Sequence, residues 1–362
     1  MARRDIVTIG ASAGGVEALM TIARHLPADL PAAVFVVLHI PPDGTSALPT
    51  LLSRAGQLPA EHPDDGEPVR HGRIYVAPPD HHLLLHDGRV RVVHGPRENR
   101  HRPSVDPLMR SAAQFYGPRA IGVILSGSLD DGTAGLLALK RQGGVAIVQD
   151  PAEAAFPGMP SSAMHVVKVD YCLRVARIGP TITRLVTEPI EETEAAAMSS
   201  RGDDRMKYEN SISEVDQSAL ENDDRPGIPS PFACPECGGV LWEVENAQML
   251  RFRCRVGHAY SVESLLASQN EGMEAALWSA MRALEEKASL TRRLADRAEE
   301  QSQHGAAERF AEQSKAAEEH ANTIRAVLLS ENATVPASTR SHHPRVNARK
   351  QDASTQVAEG SR

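Results

Sequence analysis

At 362 residues the chain is too long for one small core and suits one sizeable domain with an appendage. Its 41% hydrophobic content supports a packed core, and no apolar run approaches the roughly 18 residues of a membrane span, so a membrane protein is not expected. The net charge of −8 is local: residues 188–230 carry twelve acidic and four basic side chains, and the near-neutral remainder excludes a general nucleic-acid binder.

The first ten residues place two arginines before an apolar stretch, as an export signal would. Asp5 and Gly10 leave too short an apolar run for one, against about 7 to 15 residues, so a cytoplasmic location is expected. From Asp5 to about Val186, short β-branched runs alternate with helical patterns. Strands are predicted at Ile6 to Ile9, Ala33 to Leu38, Ile74 to Ala77, Ile121 to Leu125 and Val145 to Gln149. Val16, Leu19, Ala23 and Leu26 keep helical spacing up to Pro27. Asp87-Gly88 sits between two apolar runs from Leu83 to Val93, a hairpin signal. The fold class expected is α/β: a doubly wound, mainly parallel sheet with a β-hairpin over residues 1–187. Residues 188–230 are acidic and poor in large apolar groups, and are expected to form a disordered linker with few contacts across the boundary. Residues 231–260 are predicted to form a zinc-ribbon-like module, residues 261–331 an α-helical hairpin, and residues 332–362 a disordered tail. No internal repeat is present.

Three segments carry candidate chemistry, each at the end of a predicted strand. Gly10-Ala-Ser-Ala-Gly14 fits the G-x-S-x-G nucleophile pattern in its strand-to-helix context. His39 closes the second strand, and Asp130-Asp131-Gly132 follows the fourth. In an open parallel sheet the carboxyl ends of strands share one edge, so Ser12, His39 and one of Asp130 or Asp131 can converge as nucleophile, base and orienting carboxylate. Free backbone N–H groups at the start of the following helix, beginning with Ala13 and Gly14, would stabilise an oxyanion. Taken singly, each segment has a plainer reading: a phosphate cradle for the glycine turn, a satisfied core histidine for His39, a helix cap for Asp130-Asp131. His81 and His82 lack a companion at metal spacing and are expected in a solvent-facing loop.

Residues 1 to about 187 resemble the catalytic domain of the chemotaxis protein-glutamate methylesterases, the CheB family. Besides the serine turn, the resemblance rests on Tyr75-Val-Ala-Pro-Pro-Asp80, His101-Arg-Pro-Ser-Val-Asp106, Gly127-Ser-Leu-Asp-Asp-Gly132, Gln149-Asp-Pro and Phe156-Pro-Gly-Met-Pro160. It implies Ser12 as nucleophile, His39 as base and Asp131 as orienting carboxylate, with His101 and the backbone N–H of Ser128 lining the substrate pocket. It also implies a hydrolase that removes methyl esters from glutamyl side chains of methyl-accepting chemoreceptor-like proteins and deamidates glutamines there. Two departures stand out. The family's receiver domain normally precedes the catalytic domain, whereas this chain starts at the first strand, so no activation by phosphorylation in cis is expected. The pocket loop reads Gly127-Ser-Leu129 where the family often has Gly-Met-Gly. The competing function is a signalling adaptor or binding protein with a weakly active hydrolase-like domain; a third is a small-molecule esterase.

Cys234-Pro-Glu-Cys237 and Cys254-Arg-Val-Gly-His258 supply three thiolates and one imidazole, a set suited to closed tetrahedral zinc. A redox pair is the competing reading, but it leaves Cys254 and His258 unexplained. No cofactor is expected for catalysis. Cys172 stands alone and is expected to pack as a small buried residue. Leu277, Met281, Leu284, Ala288 and Ala295 form one helical stripe, and Phe310, Ala317, Ala321, Ile324 and Leu328 a second. Mutual burial of the two helices is favoured over a docking or self-association role.

Overall fold

The computed structural model describes residues 2–190, 204–217, 219, 227–246 and 248–334. The chain divides into two units, Met1–Gly272 and Met273–Arg362.

The first unit opens with β1 (Ile6–Ala11), α1 (Gly15–Arg24), β2 (Ala33–Leu38), α2 (Leu48–Ala55), β3 (Ala60–Glu61) and β4 (Arg73–Val76). A hairpin of β5 (His82–His86) and β6 (Arg89–Val93) follows, then α3 (Val105–Tyr116), β7 (Ala120–Ile124), α4 (Thr133–Arg141), β8 (Val145–Gln149), α5 (Gly158–Val166), β9 (Tyr171–Leu173) and α6 (Val175–Thr187). Seven strands form one parallel sheet in the order β3-β4-β2-β1-β7-β8-β9. Every residue of β1, β2, β7 and β8 is buried, as expected of near-continuous apolar strands covered on both faces, and the buried Thr8 hydroxyl donates to the Ile121 carbonyl at 3.1 Å. One core, with Ile9, Ile22, Val36 and Ile182, fills one face; the other, with Phe35, Tyr75, Leu108 and Leu136, fills the opposite face. In the hairpin, Asp87 (φ 44°) and Gly88 (φ 76°) take the left-handed pair that the Asp-Gly dipeptide announces.

The compact unit does not end at residue 187. A helix, α7 (Asp204–Ser213), forms inside the stretch expected to be a disordered linker; residues 191–203, 218 and 220–226 of that stretch lie outside the described residues. It is anchored chiefly by charge. Arg110 on α3 donates to Glu98 at 2.8 Å and to Asn210 at 2.9 Å, while Arg251 makes a bidentate pair with Glu209 at 2.6 and 2.9 Å and Arg253 donates to Glu98 at 3.1 Å. Burial opposes ionisation of Glu209, but the guanidiniums of Arg251, Arg110 and Arg253 outweigh it and bring its carboxyl down to about 2. Glu98 lies well below the usual range by the same balance. The expected boundary with few crossing contacts is thereby replaced by a buried ionic cluster.

Truncating Glu209 to alanine strands its arginines and is expected to cost about 3 to 5 kcal/mol in urea unfolding. Because both carboxyls are depressed in the fold, their contribution is present above the ordinary value of 4.5 and is lost as pH falls toward about 2. Acid titration of the unfolding midpoint checks the sign.

A small antiparallel sheet follows: β10 (Ile228–Ala233), β11 (Val240–Asn246), β12 (Met249–Cys254) and β13 (Ala259–Ser261). Two long helices complete the described chain, α8 (Val262–Glu300) and α9 (His304–Thr334); the rest of the expected tail lies outside the described residues. Beyond Met273 the two helices are joined through their small-residue stripes. Ala288, Ala295, Ala317, Ala321 and Leu328 are buried, and Ser314 donates to the Ala288 carbonyl at 2.9 Å. Cys172, expected inside, is exposed because β9 is the outermost strand of the sheet.

Candidate active site

Three neighbouring strands bring the candidate triad together. β2, β1 and β7 lie side by side in parallel, and Ser12, His39 and Asp131 each follow one of them. Backbone bonds carry the ladder past the strand ends: His39 N–H donates to the Ala11 carbonyl at 3.2 Å and Ser12 N–H to the Ser126 carbonyl at 2.9 Å. His39 Nε2 lies 2.7 Å from Asp131 Oδ2, and its Nδ1 lies 3.1 Å from Ser12 Oγ. A carboxylate accepts only, so Nε2 carries the proton toward Asp131 and Nδ1 presents a lone pair to the serine hydroxyl. His39 and Asp131 are 5% and 2% exposed, which shields the pair from water.

Asp131 is held from several sides. Its oxygens accept from Ser104 Oγ at 2.8 Å, Val105 N–H at 2.7 Å and Asn99 Nδ2 at 2.9 Å besides His39. Burial pushes its carboxyl up, but the bond and charge of His39, then Val105 and Asn99, hold it well below the carboxylate range. Asp130 differs. It accepts from Ser261 Oγ at 2.6 Å, and burial pushes its carboxyl up to about 7.

The serine turn is built from small residues because nothing larger fits. Gly14 caps α1 at φ 70°, and a Cβ there would stand 2.8 Å from Ala155 and 2.9 Å from Ser126 Oγ. The Ser126 hydroxyl donates to the Ala13 carbonyl at 2.7 Å and accepts from Phe156 N–H at 3.0 Å, tying the turn to the Phe156-Pro-Gly segment.

A cavity of about 470 Å³ opens beside Ser12. Of the residues expected to serve substrate, Ala13 and His101 line it; Gly14 and Ser128 do not, and Ser128 is exposed in the loop after β7. The His101 ring stacks on His39 with centroids 3.6 Å apart and planes 11° apart. Burial, then the charge of His39, brings its imidazole down to about 3, so it is a neutral plate. His101→Gln is therefore expected to leave the number of ionisations in the pH–rate profile unchanged over roughly pH 5 to 8.

The sequence reading missed three arginines at the mouth of this cavity, Arg97, Arg100 and Arg102, although their spacing around His101 was a legible signal. Arg102 makes two bonds to Asp80 at 2.7 and 2.9 Å, Arg100 pairs with Glu271 and Arg97 faces Glu236 at 3.5 Å. It also missed Ser104 and Asn99. His82, expected in a solvent-facing loop, is fully buried on β5; its ring nitrogens are satisfied by the Pro96 carbonyl at 2.9 Å and Ser104 N–H at 3.2 Å, which is what makes burial tolerable.

Cys234, Cys237, Cys254 and His258 offer ligand atoms within 4.8 Å of one another. Cys237 Sγ to Cys254 Sγ is 3.7 Å, and His258 Nδ1 lies 3.7 Å from Cys234 Sγ and 3.5 Å from Cys254 Sγ. Bonds of about 2.3 Å to sulfur and about 2.0 Å to nitrogen in a tetrahedron give ligand separations of about 3.5 to 3.8 Å, so this set fits a metal ion. Both loops turn through left-handed glycines, Gly238 (φ 71°) and Gly257 (φ 109°).

Comparison with known proteins gives a consistent picture over this half of the chain. A family model described as CheB methylesterase matches residues 7–182. A protein-glutamate methylesterase/protein-glutamine glutaminase of Anaeromyxobacter dehalogenans is 40% identical over 184 residues, 51% of this chain and 54% of the relative. One from Yersinia pestis is 41% identical over 183 residues, 49% of this chain and 52% of the relative. The chain thus spans about half the length of the curated relatives it matches. A crystal structure of the Thermotoga maritima CheB methylesterase catalytic domain aligns over 51% of this chain and all of its own, at 35% identity and a TM-score of 0.49.

Proposed function

Because the N-terminal half of this chain belongs to the CheB methylesterase family, we propose that the protein is a serine hydrolase removing methyl esters from glutamyl side chains of methyl-accepting chemoreceptor-like proteins. The observation that carries the reading is the single imidazole bridging Ser12 and a buried, hydrogen-bonded carboxylate at the edge of the sheet.

Ser12 Oγ attacks the ester carbonyl carbon while His39 Nδ1 takes its proton, and Asp131 stabilises the imidazolium that forms. Collapse of the tetrahedral adduct breaks the bond to methoxide, which leaves as methanol with the proton from His39. Water then attacks the acyl-serine with His39 again as base, releasing glutamate and restoring Ser12. A glutamine substrate follows the same course with ammonia as leaving group. The backbone N–H groups at Ala13 and Gly14 are the candidate oxyanion donors, and the role proposed for Ser128 is a backbone contact to substrate.

Cys234, Cys237, Cys254 and His258 are proposed to hold a structural zinc, which cross-links the loops of the small sheet. Reduced thiols of this kind, and a receptor's signalling helices as substrate, fit a cytoplasmic setting.

Methanol release from methylated receptors of the same cell tests the proposal. The expected result is release by the full chain that is absent with Ser12→Ala. Hydrolysis of short esters without any release from receptors would leave a small-molecule esterase instead.

A further inference from the structure

The small sheet and the candidate triad share more than a chain. β13 lies alongside the segment that lines the cavity: Glu98 bridges Ala259 in parallel, Asn99 N–H donates to the Ala259 carbonyl at 2.8 Å, and Ala259 N–H donates to the Arg97 carbonyl at 3.2 Å. Asn99 and Arg100 both hold left-handed backbone, at φ 50° and 74°. Two successive non-glycine residues in that region persist only where neighbours over-determine them, and β13 supplies those neighbours.

The Asn99 side chain joins the two sites. Its oxygen accepts from Ser261 N–H at 2.9 Å and from Ser264 Oγ at 3.2 Å, both beyond the cysteine cluster. Its nitrogen donates to Asp131 Oδ1 at 2.9 Å and Asp106 Oδ2 at 2.8 Å. A backbone N–H only donates, so Ser261 dictates which end of the amide faces it, and the other end must then face the carboxylates. Beside this path the Ser261 hydroxyl donates to Asp130, next in sequence to Asp131.

Two candidate ligands frame the turn that leads into β13. Cys254 ends β12, His258 directly precedes β13, and Cys254 N–H donates to the His258 carbonyl at 3.0 Å, closing the loop from which Ala259 and Ser261 emerge.

We propose that the Cys3His sheet is a metal-dependent clamp on the triad carboxylate, with Asn99 and Ser261 as positioning residues, so that loading of the cluster with a divalent cation sets the hydrolytic rate. The proposal rests on the hydrolase and metal readings above. Metal ligation fixes the loop, the loop fixes β13, β13 orients the Asn99 amide, and the amide holds Asp131 at the angle from which it orders His39. Without the clamp, Asn99 is free to leave its left-handed conformation and Asp131 loses one of its donors. The same amide stands between Asp131 and Asp106, whose carboxyl burial and the Asp131 charge push up to about 7. Its departure brings two carboxyl groups face to face.

The test compares the full chain loaded with zinc, the full chain stripped by a chelator, Asn99→Ala and the milder Ser264→Ala, which removes the hydroxyl that donates to the Asn99 oxygen. The readouts are kcat and KM on a short chromogenic ester and the low-field proton resonance of His39 Nε2–H. Stripping and Asn99→Ala are each expected to lower kcat about tenfold or more with KM within about twofold, and to move or broaden that resonance. Ser264→Ala should act in the same direction. Zinc should restore the stripped wild type and not Asn99→Ala, and stripping Asn99→Ala should cost little further, since one path is cut twice. An unchanged resonance and kcat after stripping would overturn the clamp, as would an equal loss on stripping in wild type and Asn99→Ala. Circular dichroism separates these results from unfolding. If Ser12→Ala hydrolyses the ester as fast as wild type, the hydrolase reading falls and the resonance still decides the clamp. If the chain takes up no zinc, the metal reading falls and with it the metal dependence, while the two variants still decide positioning.

Discussion

Ser12→Ala is expected to lower ester hydrolysis by about a thousandfold or more while leaving the melting temperature within a few degrees of wild type. The substitution removes one partly buried hydroxyl whose interaction is with the His39 ring, so little folding energy depends on it. His39→Gln should be nearly as damaging. Asp131→Asn should follow closely, because an amide nitrogen would face His39 Nε2–H, Val105 N–H, Ser104 Oγ or Asn99 Nδ2, most of which only donate. Asp130→Asn should be much milder. The carboxyl of Asp130 is pushed up to about 7, so a neutral amide there resembles its protonated form and still accepts from Ser261. Steady-state rates of the four variants check the order, and a more damaging Asp130→Asn would move the orienting role to that residue.

Much of the N-terminal half was legible because its signals are local and periodic. Near-continuous apolar runs mark β1, β2, β7 and β8, and a chemically capable side chain follows three of these four; parallel pairing does the rest. Asp87-Gly88 gave the hairpin, and the alanine stripes gave the helical pair. What stayed hidden depends on contacts distant in sequence. Helix α7 reads as an acidic linker because composition counts Glu209 as a solvated charge, whereas the fold brings Arg110, Arg251 and Arg253 to it from two other elements. His82 reads as a loop residue because nothing in its neighbourhood announces Pro96 and Ser104 as partners. Asn99 carries no motif of its own, and its role emerges only when Ser261, 162 residues later, is laid against it. A boundary at residue 187 followed from the charge of the next segment, and that charge is part of what joins the segments.

Removal of the metal is the second large effect expected. The core of the small sheet consists of Cys234, Leu241, Phe252, Cys254, Tyr260 and Leu265, of which two are candidate ligands. Four apolar side chains are too few to order the sheet by burial alone, so it leans on its contacts with α7 and with residues 97–99 and, in the proposed reading, on a metal that cross-links its loops. The full chain should hold one zinc, and chelation should loosen the sheet while leaving the helical signal largely intact. Trp242, half-buried on β11, reports the sheet, and Trp278, exposed on α8, is the other of the chain's two tryptophans. In a Trp278→Phe background the emission of Trp242 should shift to longer wavelength on chelation and return with zinc. Thiols must lose their protons to bind a metal, so the same shift should appear as pH falls, and at higher pH when less zinc is present. An emission spectrum indifferent to chelation, or a Cys234–Cys237 disulfide formed under reducing conditions, would instead make the pair a redox centre.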